Sequence, residues 1–185
     1  MDYQLAVIFT VVIPLVLLIW SAVLKADAIT RLLIIYWRIA SLLLVTVYLM
    51  IPAWSIAFIT GFAARILIPV GLWFWVDINE EIHDRVASPF KLIVTAWRWA
   101  VTVYCAIATL VTIPFLSCAF SQQALQSDFC RVWLEPPFFY KQLFHSGSSP
   151  GFLGFLGAIG LTIYLVYFIV FLFRIGRRGR SAMEQ

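Results

Sequence analysis

Three arginines lie inside the most apolar stretches of the chain, where a charged side chain needs a physical reason. Arg38 and Arg98 directly follow Trp37 and Trp97, and Arg65 lies in a third apolar run. A guanidinium stays charged and binds a carboxylate or a phosphate through two parallel hydrogen bonds. These residues predict a site for an anion, a lipid headgroup or an acidic group of a partner protein. For Arg38 and Arg98 the alternative is extension toward the headgroups, with the tryptophans at the membrane interface.

Of the three arginines, Arg65 has the position that costs the most free energy in a membrane. It lies eleven residues from either end of its apolar run, residues 54–76, and an arginine at the centre of a membrane helix costs at least ~2.5 kcal/mol. Pro69 removes the N–H that would bond the Arg65 carbonyl, which predicts a kink. Gly61, one turn earlier, allows close approach of another backbone. We therefore expect Arg65 to face other helices or a cavity.

The apolar runs contain no aspartate or glutamate that could neutralise these arginines. The nearest acids are Asp77, Glu80 and Glu81, just beyond the third run, and they are candidates for ion pairs with Arg38 and Arg98. They lie too far along the helix for Arg65. Its expected partners are carbonyls, hydroxyls such as that of Thr60, a ligand, a lipid or an acid on another chain.

The composition requires that these residues be carried by membrane helices. Of the 185 residues 63% are hydrophobic and 12% charged, and the mean hydropathy is +0.98, whereas a soluble domain is about half apolar and a quarter charged. The sequence predicts an all-α membrane protein, a single polytopic domain over residues 1–185 with a bundle of about five transmembrane helices. The predicted spans are residues 5–24, 32–51, 54–76, 92–116 and 152–173.

The second and third spans are separated only by Pro52 and Ala53. We expect a tight hairpin there. The alternative is one long helix followed by a re-entrant piece.

The distribution of basic residues predicts the orientation of the spans. With the N-terminus outside or lumenal and the C-terminus cytoplasmic, eight basic residues face the cytoplasm and two face outward, which follows the positive-inside rule. Asp2 before the first span and Lys25 after it favour the same orientation. The outward residues are Arg131 and Lys141. The cytoplasmic residues are Lys25, Arg31, Arg85, Lys91, Arg174, Arg177, Arg178 and Arg180.

Cysteine spacing agrees with this orientation. Cys118 and Cys130 both fall in the loop predicted to lie outside, where disulfides persist. We predict a Cys118–Cys130 disulfide; the alternative is two unpaired thiols. Cys105, within the fourth span, is interpreted as a packing residue.

Small residues open the fifth span, and aromatic residues precede it. Gly154, Gly157 and Ala158 have the spacing of closely packed membrane helices, and the alternative is close approach of a pigment or a lipid tail. The segment before them has enough apolar residues for a short interfacial helix, or for docking a partner. Those residues are Phe138, Phe139, Leu143 and Phe144.

Other chemistries find little support in the residue pattern. No ligand spacing indicates a metal, and no nucleophile triad, phosphate loop or catalytic carboxylate pair is recognisable. His83 and His145 fall on opposite predicted sides of the membrane, which argues against a haem held by both. We predict no cofactor, although a bound lipid or pigment is compatible with the pattern.

The stretches "LWFWVDINEEI" and "AWRWAVTVY", together with the five-span layout, resemble a small cyanobacterial family of integral membrane proteins of unknown function. The resemblance covers most of the chain. It implies a thylakoid or plasma membrane and a role beside photosynthetic complexes. It implies no particular site residues.

We therefore expect a non-enzymatic accessory or assembly factor of a larger membrane complex. The expected partners are membrane lipids and another membrane protein, and not nucleic acid. The alternative is a small anion or lipid carrier or channel, with Arg38, Arg65 and Arg98 lining its path. A membrane enzyme acting on a lipid or isoprenoid ranks last, because no acid, histidine or metal cluster lies at a suitable depth.

Overall fold

The chain is helical along its described length. The computed structural model describes residues 6–178, without the side chains of residues 122 and 175–178. Every regular element in this range is helical, which confirms the all-α prediction for this part of the chain. The helices are α1 (Ile8–Val23), α2 (Asp27–Met50), α3 (Ile56–Trp73), α4 (Val76–Asp84), α5 (Pro89–Thr112), α6 (Ser117–Phe120), α7 (Gln122–Leu125), α8 (Asp128–Arg131), α9 (Glu135–Phe144) and α10 (Pro150–Arg178).

Four of these helices, α2, α3, α5 and α10, are long and apolar enough to cross a membrane. They correspond to the second to fifth predicted spans, with ends that differ by a few residues. The first predicted span corresponds to α1, which is apolar but shorter. The predicted fourth span extended to residue 116, whereas α5 ends at Thr112 and a 3₁₀ turn, Pro114–Leu116, follows. Pro114 has no N–H with which to continue an α-helix.

Proline also shapes the beginning of α1. Its first part, Ile8–Val12, is a π-helix in which the Ile13 N–H donates to the Ile8 carbonyl, five residues back. Pro14 has no N–H, so it cannot donate to the Thr10 carbonyl as an α-helix requires. The Phe9 carbonyl also loses its α-helical donor, because that donor is the Ile13 N–H. This part of α1 therefore offers two carbonyls to side chains of other helices.

The predicted hairpin between α2 and α3 is present. The Trp54 N–H donates to the Leu49 carbonyl at 3.1 Å and the Ala53 N–H to the Met50 carbonyl at 2.9 Å, which closes the end of α2. Ala53 adopts the left-handed conformation that this cap requires, with φ of 57°. The two helices then run antiparallel.

The described chain forms two compact units. Unit 1 contains the residues up to 40, residues 66–107 and residues from 170 onward, and unit 2 contains residues 41–65 and 108–169. Each long helix contributes to both. The basic side chains Arg177, Arg178 and Arg180, which dominate the predicted charge asymmetry, lie outside the described residues, as does Asp2.

Candidate functional site

The side chain of Arg98 is buried in unit 1 and is bound to the end of a neighbouring helix. Arg98 lies in α5 and is only 3% exposed. Its Nη2 donates to the Leu72 carbonyl at 2.6 Å and to the Asn79 Oδ1 at 2.5 Å. Neither acceptor is a carboxylate, so neutral oxygens solvate this charge.

The acceptors follow from the position at which α3 stops. The last carbonyls of an α-helix have no donor within the helix and carry a partial negative charge. Because α3 ends at Trp73, the carbonyls of Leu72 and Trp73 are two of these. Arg98 binds the first, and the Asn79 Nδ2 donates to the second at 3.0 Å. A cation and an amide thus cap the C-terminus of α3 together.

Trp73 completes the surroundings of the Arg98 guanidinium. The guanidinium carbon lies 4.1 Å from the centroid of the Trp73 ring, a cation–π arrangement. The ring is held in place because Trp73 Nε1 donates to Thr102 Oγ1 at 2.9 Å. Thr102 Oγ1 in turn donates to the Arg98 carbonyl at 2.7 Å. The Arg98 site therefore joins α3, α4 and α5 through Nη2 and the Trp73 ring, while the buried Nε has no hydrogen-bond partner within the described residues. These contacts between helices favour a structural role for Arg98.

One of the three predicted acids pairs with an arginine other than Arg38 and Arg98. Glu81 forms an ion pair with Arg31, with 2.5 Å between Oε2 and Nη2. Glu80 is exposed and Asp77 is partly buried. The expectation that these acids neutralise Arg98 is corrected by its hydrogen bonds to Leu72 and Asn79. Asn79 was not predicted from the sequence, because only charged side chains were considered as partners of Arg98. An amide carries no charge.

Trp97 and Tyr36 bind the two carbonyls that the π-helix of α1 exposes. Trp97 Nε1 donates to the Phe9 carbonyl at 3.0 Å, and the Tyr36 hydroxyl donates to the Thr10 carbonyl at 2.6 Å. The two rings meet edge to face, with 5.1 Å between centroids. Trp97 thus attaches α1 to α5 and is placed inside unit 1.

The similar motif at Trp37 and Arg38 has different surroundings. Trp37 is partly buried, and its buried Nε1 has no hydrogen-bond acceptor within residues 6–178. The Arg38 side chain is exposed, in contrast to the buried Arg98. The two copies of the Trp-Arg motif therefore do not form equivalent sites.

Arg65 belongs to unit 2, whereas Arg38 and Arg98 belong to unit 1. Its side chain is partly buried, and its guanidinium carbon lies 5.4 Å from the centroid of the Trp133 ring. A Cβ at Gly61 would lie 3.2 Å from Arg65 Nη1, so the guanidinium occupies the space that this glycine leaves open. Gly61 thus accommodates a side chain of its own helix. The contact with Trp133 is one that the sequence alone did not indicate.

The predicted disulfide links Cys118 and Cys130, whose Cα atoms are 6.0 Å apart. Both cysteines are fully buried in unit 2, in a cluster with residues from the α2–α3 hairpin. Within this cluster Phe115 stacks on Phe129 at 4.1 Å and meets Trp133 at 5.2 Å. The disulfide therefore lies at the centre of the structure that places Trp133 over Arg65. The hairpin residues of the cluster are Leu49, Met50, Ala57 and Phe58.

The glycines of α10 lie against α2 and the hairpin within unit 2. A Cβ on Gly154 would lie 2.5 Å from Pro52 Cγ, and one on Gly157 would lie 3.1 Å from Tyr48 Cβ. Ala158 is partly buried on the same helix. These positions show close helix packing at both glycines.

No group of three or more histidine, cysteine, aspartate or glutamate residues within the described chain could hold a metal ion. The four long apolar helices are consistent with a polytopic membrane protein. Of the three arginines in apolar runs, Arg98 caps a helix, Arg65 lies under a tryptophan and Arg38 is exposed. The chain belongs to a family described as "Protein of unknown function (DUF3177)", which matches residues 1–183. This confirms the resemblance to an uncharacterised family. Comparison with curated proteins and with solved structures finds no match.

Proposed function

We propose that this protein is a non-enzymatic accessory subunit or assembly factor that binds another membrane protein through Arg38. The observation that carries the proposal is the exposure of the Arg38 side chain in the middle of α2. Arg38 is eleven residues from Asp27 and twelve from Met50. An exposed guanidinium at the middle of a membrane helix costs free energy in lipid, because the helix holds it away from the headgroups. Such a residue therefore marks a binding site.

The depth of Arg38 can be estimated from Arg31. Arg31 and Glu81 form an ion pair between partly exposed side chains, which suits the polar edge of the membrane. Arg38 follows seven residues later on the same helix, roughly 10 Å further along the helix axis. Lipid phosphates are anchored at the headgroup level, whereas a second protein can hold a polar or acidic side chain at this depth. A protein partner is therefore favoured over a lipid.

The Arg98 geometry counts against the alternative of a carrier or channel. A path lined by three arginines needs each guanidinium to be available to a passing anion. The guanidinium of Arg98 is instead committed to the end of α3 and to Asn79. Of the two arginines that follow a tryptophan, Arg38 is therefore the one whose exposure supports the proposal.

The orientation that we propose has the N-terminus outside and the C-terminus in the cytoplasm, supported by the distribution of basic residues. It is tested with a membrane-impermeant thiol reagent on intact cells. We expect a cysteine at Gln126 to be labelled and one at His83 to be labelled only after permeabilisation. The reverse pattern would invert the topology.

The resemblance to a cyanobacterial family suggests a photosynthetic complex in the thylakoid or plasma membrane as the partner. Affinity purification from such membranes in a mild detergent, followed by native mass spectrometry, tests this proposal. We expect the wild-type chain to retain a stoichiometric membrane protein that Arg38→Leu loses. Arg38→Lys keeps the charge and should retain part of the binding.

The matched control is Ile34→Ala, one turn earlier on α2 and also exposed. It should retain the partner. If Arg38→Leu retained the same proteins as the wild type, the proposal would be wrong. A lone chain that loses a bound anionic lipid on Arg38→Leu would instead favour the lipid carrier.

A further inference from the structure

The segment that connects α5 to α10, residues 113–149, carries large apolar side chains on its surface. Several are aromatic, and they occur from one end of the segment to the other. A water-exposed loop gains nothing from such residues, and clustered exposed apolar groups mark an interaction surface. The exposed residues are Ile113, Phe120, Phe129, Val132, Phe138, Phe139, Leu143 and Phe144.

Apart from Phe129, which stacks on Phe115, these side chains are distinct from those that pack around the disulfide. The inward side of the segment packs around the Cys118–Cys130 disulfide, through Leu125 and Leu134, against the α2–α3 hairpin. The buried side chains on this inward side provide the contacts that hold the segment together. The exposed faces of Phe138, Phe139 and Phe144 are therefore available for a contact outside unit 2.

The position of Trp133 shows that the segment reaches beside α3 and not only beyond its end. Trp133 covers Arg65, whose guanidinium lies beside Gly61. Gly61 is five residues after Ile56, the first residue of α3, which is about 8 Å along the helix axis. Val132, next to Trp133, is 61% exposed. If α3 spans the bilayer, Val132 then lies at a depth where the surroundings are lipid.

Exposed apolar side chains also occur on the long helices of the same unit. Ile56 and Ile59 of α3 and Phe152 and Phe155 of α10 are exposed in the same unit. Such positions on membrane-spanning helices face lipid. The segment also carries an exposed cation, Arg131, beside its apolar residues, as interfacial helices do.

We propose that the part of this segment from residue 129 to residue 144 lies in the headgroup–acyl boundary of its own membrane. Val132 and the phenylalanines insert into the leaflet, while the polar turn that contains Gln126 and Ser127 stays in water. Interfacial helices bury their apolar face about 5–10 Å into this boundary, which agrees with the depth of Trp133. The lipid surface, rather than a second protein, is the occupant of this face.

The proposal is tested with an environment-sensitive fluorophore on single cysteines in nanodiscs made only of phospholipid. The background carries Cys105→Ala and keeps the disulfide. Val132→Cys and Leu143→Cys are compared with Gln126→Cys, an exposed polar position in the same segment. We expect blue-shifted emission and several-fold stronger quenching by spin-labelled lipids at positions 132 and 143 than at 126.

Emission at positions 132 and 143 as red and as weakly quenched as at 126 would overturn the proposal and favour a protein partner as the occupant. A second measurement needs no substitution. A lipid carrying a carbene precursor on its acyl chain should label the wild-type chain between residues 129 and 144 and leave residues 121–128 several-fold less labelled. Equal labelling of the two stretches would count against insertion.

Discussion

The guanidinium of Arg98 donates a hydrogen bond to the carbonyl of Leu72, one residue before α3 ends. A charge within an apolar helix is thereby solvated by the end of a neighbouring helix. The carbonyls at the end of a helix have no donor within the helix. One hydrogen bond therefore satisfies both the buried guanidinium and the unpaired carbonyl. Arg98 is best understood as a cap that joins α5 to α3.

Replacing Arg98 with leucine should destabilise the protein. The change leaves the Leu72 carbonyl and the Asn79 Oδ1 without their donor, and unsatisfied buried acceptors cost about 1–3 kcal/mol each. We expect the free energy of unfolding in detergent micelles to fall by about 3 kcal/mol. Arg98→Lys should lose less, since a lysine keeps the charge but lacks the forked geometry.

The control for this prediction is Ile107→Ala, because Ile107 is largely exposed on the same helix. Its free energy of unfolding should change little. An Arg98→Leu protein as stable as the wild type would show that the cap is energetically unimportant.

Asn79 should be coupled energetically to Arg98. Asn79 accepts from Arg98 Nη2 and donates to the Trp73 carbonyl, so both residues act on the end of α3. In a double-mutant cycle with Asn79→Leu and Arg98→Leu, we expect a coupling of about 1 kcal/mol or more. The cycle is measured from unfolding curves of the four proteins. Additive losses would mean that the two residues cap α3 independently.

The Arg98 site shows where sequence reasoning stops. Hydropathy predicts α3 well, but it places the end of the span at residue 76, whereas α3 ends at Trp73. With the longer helix the Leu72 carbonyl would have an internal partner, and Arg98 would need another acceptor. For such a helix the sequence offers only the nearest acids as partners of Arg98. The position of a helix end depends on side chains such as Asn79 that come from a different element.

Features set by local chemistry were predicted more successfully. Pro52 and Ala53 interrupt an apolar block, and the hairpin forms there. Cys118 and Cys130 are close in sequence, so their pairing needs few other contacts. The surroundings of Arg38 and Arg98 were not predictable from their shared motif. Exposure is decided by which helices pack alongside, and the motif contains no information about them.

The attachment of α1 through Trp97 and Tyr36 can be tested with phenylalanine substitutions. Trp97→Phe removes the donor to the Phe9 carbonyl, and Tyr36→Phe removes the donor to the Thr10 carbonyl. Each should lower the free energy of unfolding by about 1–2 kcal/mol. Hydrogen exchange of the α1 amides, measured by mass spectrometry, should be faster in the double variant.

Trp99→Phe provides the comparison, since Trp99 is largely exposed on the same helix. It should leave the exchange of α1 unchanged. Exchange that is equally slow in all variants would show that these two hydrogen bonds do not hold α1.

Reduction of the disulfide should destabilise unit 2. The bond closes a loop with a sequence separation of 12, which is worth roughly 3 kcal/mol in the chain-entropy model. We expect Cys118→Ser with Cys130→Ser to lower the unfolding temperature and to loosen the contact of Trp133 with Arg65. In the unfolded wild-type chain one thiol should react without reductant and three should react after reduction, since Cys105 is free. Three reactive thiols without reductant would contradict the bond.

Two glycines of α10 differ in the space around them and give the sharpest packing test. A Cβ at Gly154 would lie 2.5 Å from Pro52 Cγ, and the rigid proline ring cannot turn aside, whereas nothing lies within 4 Å of a Cβ at Gly151. Gly154→Ala should lower the free energy of unfolding by about 1–3 kcal/mol through overpacking. Gly151→Ala should be neutral or slightly stabilising, because alanine has the higher helix propensity. Unfolding curves of both variants in the same detergent decide the matter, and equal effects would show that α10 is not held against Pro52 at this distance.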